Sequence, residues 1–152
     1  MYPVSVPHLQ QIADPYENVV WHLDIDSPIT RREVRDAIAQ GRYSGHISTA
    51  LHSRNWNDPT ERRRTHAERI AHLVTFGWHD AIMIDVGIPS YFFGARPPYW
   101  PVTDGNHRLA AAIYRSDPYI AGDVVGSIEE ACRLGLGPPG QVRPPIPMVI
   151  NG

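Results

Sequence analysis

Apolar positions along the chain fall either into short continuous runs or into stretches with helical spacing. Four runs rich in apolar and β-branched residues predict strands at 19–24, 81–86, 99–103 and 119–125. The run at 81–86 is too apolar for an exposed edge, so we expect it to be buried inside a sheet.

Helix starts between these runs carry capping signals. Thr30 and Glu33 have the spacing of a capping box, Asp58 precedes Pro59 at a first helical position, and Ser127 opens the last helix. Glycine is a common residue just beyond a helix end. The glycines that mark the predicted ends are Gly41, Gly77 and Gly135.

The predicted helix between Asp58 and Gly77 has two different faces. One face is apolar and suited to burial, and it consists of Ala67, Ile70, Ala71 and Val74. The other is polar and could line a cleft or meet solvent, and it consists of Thr65, Glu68, Arg69 and His72.

The order of strands and helices predicts one small α/β domain of the α+β type, a mixed sheet with flanking helices. A chain of 152 residues has the length of one domain with one core. Residues 1–18 lack clear periodicity and are expected to form an extended arm, 19–137 the domain, and 138–152 a proline-rich tail. An aromatic and proline-rich excursion covers 87–98.

Composition and charge limit the classes of protein to which this chain could belong. The net charge of −2 provides no global attraction to DNA or to anionic membranes, and no apolar stretch has the length of a membrane span. The single cysteine, Cys132, cannot form an internal disulfide, and the amino terminus does not resemble a signal peptide. We therefore expect a soluble cytoplasmic protein that does not associate with membranes.

The strongest chemical signal is a strand that runs through a glycine into a helix, at Asp104-Gly105-Asn106-His107-Arg108. A helix start presents unpaired backbone N–H groups and a positive dipole end, which together favour an anion. Gly105 allows close approach of a ligand, Arg108 can grip phosphate, and His107 can donate or accept a proton. The alternative is a purely structural turn with Arg108 in a salt bridge.

The stretch from Arg69 to Ile120 resembles the core of the ParB/sulfiredoxin superfamily. The shared order is a helix ending in glycine, an isoleucine-rich strand, a variable excursion, a return strand, and Gly-x-x-Arg opening a helix. The sulfiredoxin form of that motif is Gly-Cys-His-Arg and the partition-protein form is Gly-Glu-Arg-Arg. Here it reads Gly105-Asn106-His107-Arg108.

The resemblance implies a binding site for the phosphates of ATP or another nucleotide, with Mg²⁺ bridging the phosphates. The motif backbone and the Arg108 side chain would hold the phosphates, and the preceding helix would contribute His72, or in its place His66 or Arg69. The expected binding residues are Thr65, His66, Arg69, His72, Gly105, Asn106, His107 and Arg108.

Hydrolysis or transfer of a phosphoryl group is the activity that this site would support, through positioning and charge neutralisation. Arg108 would stabilise developing charge, and His107 would move a proton. Asp104 or Glu68 would act as a base or metal ligand.

Departures from the family pattern exclude two of its activities. Sulfiredoxin chemistry needs a thiolate at the second motif position, where this chain has Asn106. Partition proteins continue into DNA-binding and dimerisation regions, whereas only a short segment follows Ile120. We therefore expect neither a sulfiredoxin nor a complete partition protein.

Two rival functions stay open. One is a DNA nuclease of the same fold, guided by the arginine clusters Arg31-Arg32-Arg35 and Arg62-Arg63-Arg64, although acidic neighbours make solvated helix faces an alternative for both clusters. The other is a non-enzymatic interaction protein of plasmid, phage or effector type, which would use the proline-rich tail and the aromatic excursion.

Histidines give no metal signal from their spacing. No pair has zinc-site spacing, so we expect scattered surface histidines and no metal held by the protein alone. His22-Leu23-Asp24 and His79-Asp80 could each position a base or Mg²⁺, but such pairs also occur by chance. Five aromatic residues could stack on a base or anchor a hairpin, namely Tyr91, Phe92, Phe93, Tyr99 and Trp100.

Overall fold

The computed structural model describes residues 1–21, 25–45, 57–87, 89–90, 94–95 and 99–140. Within these residues the order of elements is β1 (Tyr2–Ser5), α1 (Val6–Ile12), α2 (Arg31–Ala39), α3 (Pro59–Phe76), β2 (Ile82–Asp85), β3 (Pro89–Ser90), β4 (Gly94–Ala95), β5 (Val102–Asp104), α4 (Asn106–Arg115), β6 (Tyr119–Val125) and α5 (Ile128–Arg133).

The principal sheet has the strand order β1-β6-β2-β5 and is mixed. β1 pairs antiparallel with β6, β6 pairs parallel with β2, and β2 pairs antiparallel with β5. The two short strands β3 and β4 form a separate antiparallel ladder. The predicted α+β class with a mixed sheet and flanking helices is therefore confirmed.

Helix α4 lies at the centre of the molecule because it is buried on two sides. Leu109 and Ile113 belong to the core that covers the sheet, while Ala110 and Ala111 belong to a second core formed with α2 and α3. Alanine has the highest helix propensity and the smallest apolar side chain, so this helix is stable and packs closely on both sides. The rigidity of α4 fixes the position of its first turn.

Helix ends follow the sequence signals closely. Both hydrogen bonds of the Thr30–Glu33 capping box form, and Asp58 caps α3. The longest of the described helices, α3, has 18 residues, and none of the described helices combines the length and apolarity that a bilayer crossing requires.

The extended arm predicted for the first eighteen residues is wrong for residues 2–12, which form β1 and α1. Val4 and Leu9 are completely buried in the sheet core. A strand of four residues and a helix of seven are too short to show a period. The available local signal was the N-cap at Ser5, whose hydroxyl accepts from the His8 backbone N–H.

Two strand predictions differ from the structure. Residues 19–21 are not in a strand, and residues 22–24 of the same predicted run lie outside the described residues. The predicted 99–103 strand begins only at Val102, after fully exposed Tyr99 and after Pro101, which cannot donate a ladder hydrogen bond. The excursion residues 91–93 and most of the tail, 141–152, also lie outside the described residues.

Candidate functional site: a cleft at the start of helix α4

A cleft of about 720 Å³ opens between the second half of α3 and the first turn of α4. Its volume is in the range of sites that hold small ligands and cofactors. It is lined by Gly45, Arg69, His72, Leu73, Gly77, Trp78, His79, Asp80, Asp104, Gly105, His107 and Arg108. The strand–glycine–helix motif and two residues of the predicted polar face of α3, Arg69 and His72, therefore line the same cleft.

The first turn of α4 is open because its N-cap residue is a glycine. Gly105 has φ +98° and no side chain caps the helix. A methyl group on Gly105 would lie 2.4 Å from Cγ2 of Ile82, so packing against β2 as well as backbone conformation requires glycine here. The uncapped turn leaves backbone N–H groups at the positive helix end beside the cleft.

Arg108 holds the start of α4 against the segment before β2. Its Nη1 donates to the carbonyls of Asp80 and Ala81, both at 2.9 Å, and its Nη2 donates to Asp104 at 3.1 Å. The side chain is only 15% exposed. These three contacts use three of the five guanidinium N–H donors. The salt bridge of the structural alternative is therefore present, on a residue that also lines the cleft.

Arg69 is the cation of the cleft that lacks a carboxylate partner within the part of the chain that the structure describes. Its guanidinium donates to the backbone carbonyl of Gly45. Burial and the nearby charge of Arg108 lower the pKa of Arg69. Two guanidinium groups that repel each other across a cleft form a strong attraction for an anion.

His107 and His66 form a hydrogen-bonded pair beside these arginines. Nδ1 of His66 and Nε2 of His107 are 2.8 Å apart, so one proton lies between two imidazole rings. Trp21 stacks on both rings, with centroid distances of 4.7 Å to His66 and 4.4 Å to His107. Burial, then His66, Arg69 and Arg108, place the pKa of His107 well below its usual value. The imidazole is neutral at pH 7.

His72 lines the cleft one turn beyond Arg69. Burial and the charge of Arg69 lower the pKa of His72, so its imidazole is also neutral at pH 7. Its ring contacts those of Tyr43 and Phe76. Arg69 and Arg108 are therefore the fixed positive charges that line the cleft, and the carboxylates of Asp80 and Asp104 line it as well.

Four of the predicted site residues do not present their side chains to the cleft. Thr65 is buried and donates to the carbonyl of Glu61, and His66 lies behind His107. Glu68 is buried beside a smaller pocket, 3.5 Å from Arg42. The Asn106 amide accepts from Trp100 and donates to the carbonyl of Val102, so it holds the return strand. Glu68 is therefore not placed to act on a ligand in the cleft.

Gly45 and Trp78 line the cleft but were not predicted as site residues, and Trp21, which is not part of the lining, was also missed. Gly45 follows the predicted helix at 31–40 in a connection without a motif, and Trp78 follows the glycine that ends α3. Trp21 belonged to a predicted strand, whereas its ring stacks on the histidine pair. Only the close packing of distant segments brings these residues together. His79 and Asp80, noted as a pair in the sequence, do line the cleft.

Several clustered arginines make contacts within the fold. Arg63 donates to Glu33 and to the carbonyls of Ser27 and Pro28, and Arg64 pairs with Glu61. Arg31 lies over the ring of Tyr16. These internal contacts favour solvated and structural helix faces over a surface that tracks a DNA strand.

Within the described residues no group of three or more histidine, cysteine, aspartate or glutamate side chains is arranged to hold a metal ion. The predicted His22-Leu23-Asp24 pair lies outside those residues. Comparisons of the chain with protein-family models, with curated proteins and with solved structures found no match.

Proposed function

We propose that this chain binds a phosphate-bearing ligand in the cleft, and that the ligand belongs to the nucleotides. The single observation that carries the proposal is the Arg69 guanidinium, which lines the cleft with Arg108 and, among the described residues, contacts the Gly45 carbonyl and no carboxylate. An anion between them removes the repulsion between the two guanidinium groups and supplies Arg69 with an anionic partner. The uncapped first turn of α4 adds backbone N–H donors on the same side.

Other features of the cleft fit a phosphate. Neutral His107 and His72 can donate hydrogen bonds without an added charge. Asp104, with a side chain 70% exposed, would repel the phosphate itself and fits a cation that accompanies it. The resemblance of Gly105–Arg108 to the ParB/sulfiredoxin motif supports the same ligand class. A Mg²⁺ ion carried by the phosphates, and phosphoryl transfer within the cleft, belong to this proposal. The nuclease alternative has no comparable support.

The test is a thermal-shift series with a panel of nucleotides and inorganic pyrophosphate, with and without Mg²⁺. A ligand at one hundred times its dissociation constant adds about 2.7 kcal/mol to stability, so binding raises the melting temperature. Arg69→Ala should remove most of that rise, because it removes the cleft cation that contacts no carboxylate among the described residues. Arg32→Ala, at an exposed position of α2 outside the cleft, is the matched control and should keep it.

Arg69 is a better probe than Arg108, whose replacement also removes three contacts within the fold. A rise in melting temperature that survives Arg69→Ala unchanged would locate the ligand elsewhere. An absence of any rise with the whole panel would contradict the proposal itself.

A further inference from the structure

A cluster of three aromatic rings borders the cleft beyond Arg69. Phe76 lies 4.8 Å from the ring of His72 and 5.2 Å from that of Tyr43, between ring centroids. Tyr43 also meets His72 edge-on at 6.4 Å. Leu73 and Gly77, on either side of Phe76 in the chain, line the cleft together with His72. His72 therefore belongs both to the cluster and to the lining of the cleft, and Phe76 and Tyr43 extend the cluster from it.

Phe76 is 63% exposed, although it belongs to an ordered aromatic cluster. Leaving much of a phenylalanine ring in water forgoes the free energy that its burial would provide. A cluster that only closed the end of α3 would stabilise the fold more by burying this ring. The exposed ring next to a cleft instead fits a surface that a planar group covers.

The spacing along α3 relates the ring cluster to the phosphate end. Arg69, His72 and Phe76 lie at positions i, i+3 and i+7, which share one face of a helix. Seven residues advance an α-helix by about 10 Å. A ligand with its phosphate at Arg69 and its ring at Phe76 therefore extends along one helix face.

The charge also changes along this face. Arg69 is cationic and Phe76 is an apolar ring, and the aromatic ring of Tyr43 packs against Phe76 from outside the helix. His72 between them is neutral at pH 7, because burial and Arg69 lower its pKa. The end of this face at Arg69 thus suits an anion, and the end at Phe76 suits an uncharged flat ring. A nucleotide has the same two parts, a charged phosphate and a flat base.

We propose that the ring cluster Tyr43–His72–Phe76 binds the base of a nucleotide whose phosphate lies at Arg69. This inference rests on the proposed function and extends it, because it assigns the ligand's second end and its direction along α3. The base stacks against the exposed ring of Phe76, and the His72 imidazole faces its polar edge. Stacking on aromatic side chains accepts any base, so the site favours nucleotides over phosphate compounds without a ring.

The experiment is isothermal titration calorimetry on the full chain with ADP, GDP, CDP, UDP and inorganic pyrophosphate. At least one nucleoside diphosphate should bind tenfold or more tightly than pyrophosphate. Phe76→Ala should abolish that preference and leave the pyrophosphate affinity within about twofold. Phe76→Leu should also lose the preference, because leucine lacks a π face, and Phe76→Trp should retain it. Circular dichroism melts establish that each variant is folded.

Tyr119→Ala is the matched control, since Tyr119 is an aromatic residue of similar exposure, 62%, on β6 outside the cleft. It should change neither affinity. Equal losses for diphosphates and pyrophosphate in Phe76→Ala would overturn the ring site. The ring site would also be overturned if pyrophosphate binding depended on Arg69 and no nucleoside diphosphate bound more tightly than pyrophosphate. If neither pyrophosphate nor any diphosphate binds the wild type, the proposed function fails together with the ring site.

Discussion

Gly105 shows how one residue serves both the fold and the candidate site. Its positive φ of +98° opens the first turn of α4, and the absence of a side chain lets Ile82 pack against the turn. Loss of ligand affinity in Gly105→Ala would therefore not by itself prove contact with a ligand. The free energy of unfolding of this variant tests the packing around Gly105 more directly.

We expect Gly105→Ala to destabilise the protein by well over about 1 kcal/mol, because strain at positive φ adds to the collision with Ile82. Gly41→Ala is the control, since Gly41 also has a positive φ, +63°, but nothing within 4 Å of an added methyl group. Urea titrations of both variants check the prediction. Equal losses of unfolding free energy would contradict the packing argument.

Burial of His107 in the histidine pair should make stability depend on pH. The folded-state pKa of His107 is lowered by burial, His66, Arg69 and Arg108, whereas in the unfolded chain it is about 6.5. Below that value the unfolded state binds a proton that the folded state does not. Stability should therefore fall as pH decreases from about 6.5 toward the folded pKa, and rise again as pH returns toward neutral.

His107→Gln should reduce the dependence of unfolding free energy on pH between about pH 5 and 7. Each histidine of this kind contributes a slope of at most about 1.4 kcal/mol per pH unit. His72, whose pKa is lowered in the same direction, keeps part of the slope in the variant. Urea titrations at a series of pH values measure it, and identical slopes in the wild type and His107→Gln would show that His107 is not responsible.

At the scale of elements, α2 and α3 are joined by one buried cluster and by one arginine. Arg63 on α3 donates to Glu33 of α2 and to the carbonyls of Ser27 and Pro28. Its contact with Glu33 is 2.6 Å, and both side chains are largely covered. Lysine lacks the forked geometry that reaches several acceptors at once.

Arg63→Ala should lower the free energy of unfolding by about 2 kcal/mol, in the range of hydrogen bonds to charged groups. Arg63→Lys should recover only part of that loss. Arg64→Ala, which removes a more exposed arginine 3.2 Å from Glu61 and 4.0 Å from Glu68, should cost less than Arg63→Ala. Thermal and urea melts compare the three variants, and a smaller effect at Arg63 than at Arg64 would refute this assignment.

At the scale of the whole molecule, the sequence predicted what depends on local signals. The capping box at Thr30, the cap at Asp58 and the buried run at 81–86 all lie where expected, because each is encoded within a few residues. The motif at Gly105–Arg108 also opens a helix beside a cleft, as predicted.

The parts of the fold and of the candidate site that the sequence did not predict depend on contacts between distant segments. Nothing near His66 indicates that His107 and Trp21 will meet it, because the three residues come from separate parts of the chain. Glu68 shares a helix face with Arg69 by spacing, yet α2 covers one side of that face and buries Glu68. Helical periodicity carries no information about tertiary packing. Packing places some of the predicted site residues in the cleft and others in the interior.

The amino-terminal segment is another part of the fold that depends on contacts with distant segments, and local sequence signals did not predict it. Residues 2–5 form an edge strand of the principal sheet, and α1 packs against α4. Leu9 is completely buried among sheet and helix residues. The segment is thus part of the core that supports α4 and, through it, the cleft.

Leu9→Ala should therefore cost roughly 2–5 kcal/mol of unfolding free energy, the range for deleting a buried leucine side chain. Gln11→Ala, at an exposed position of the same helix, should stay within about 0.5 kcal/mol of the wild type. Urea unfolding of the two variants separates the packed segment found here from an extended arm. An arm outside the core would tolerate both substitutions equally, so equal stabilities would contradict the packing of α1 against α4.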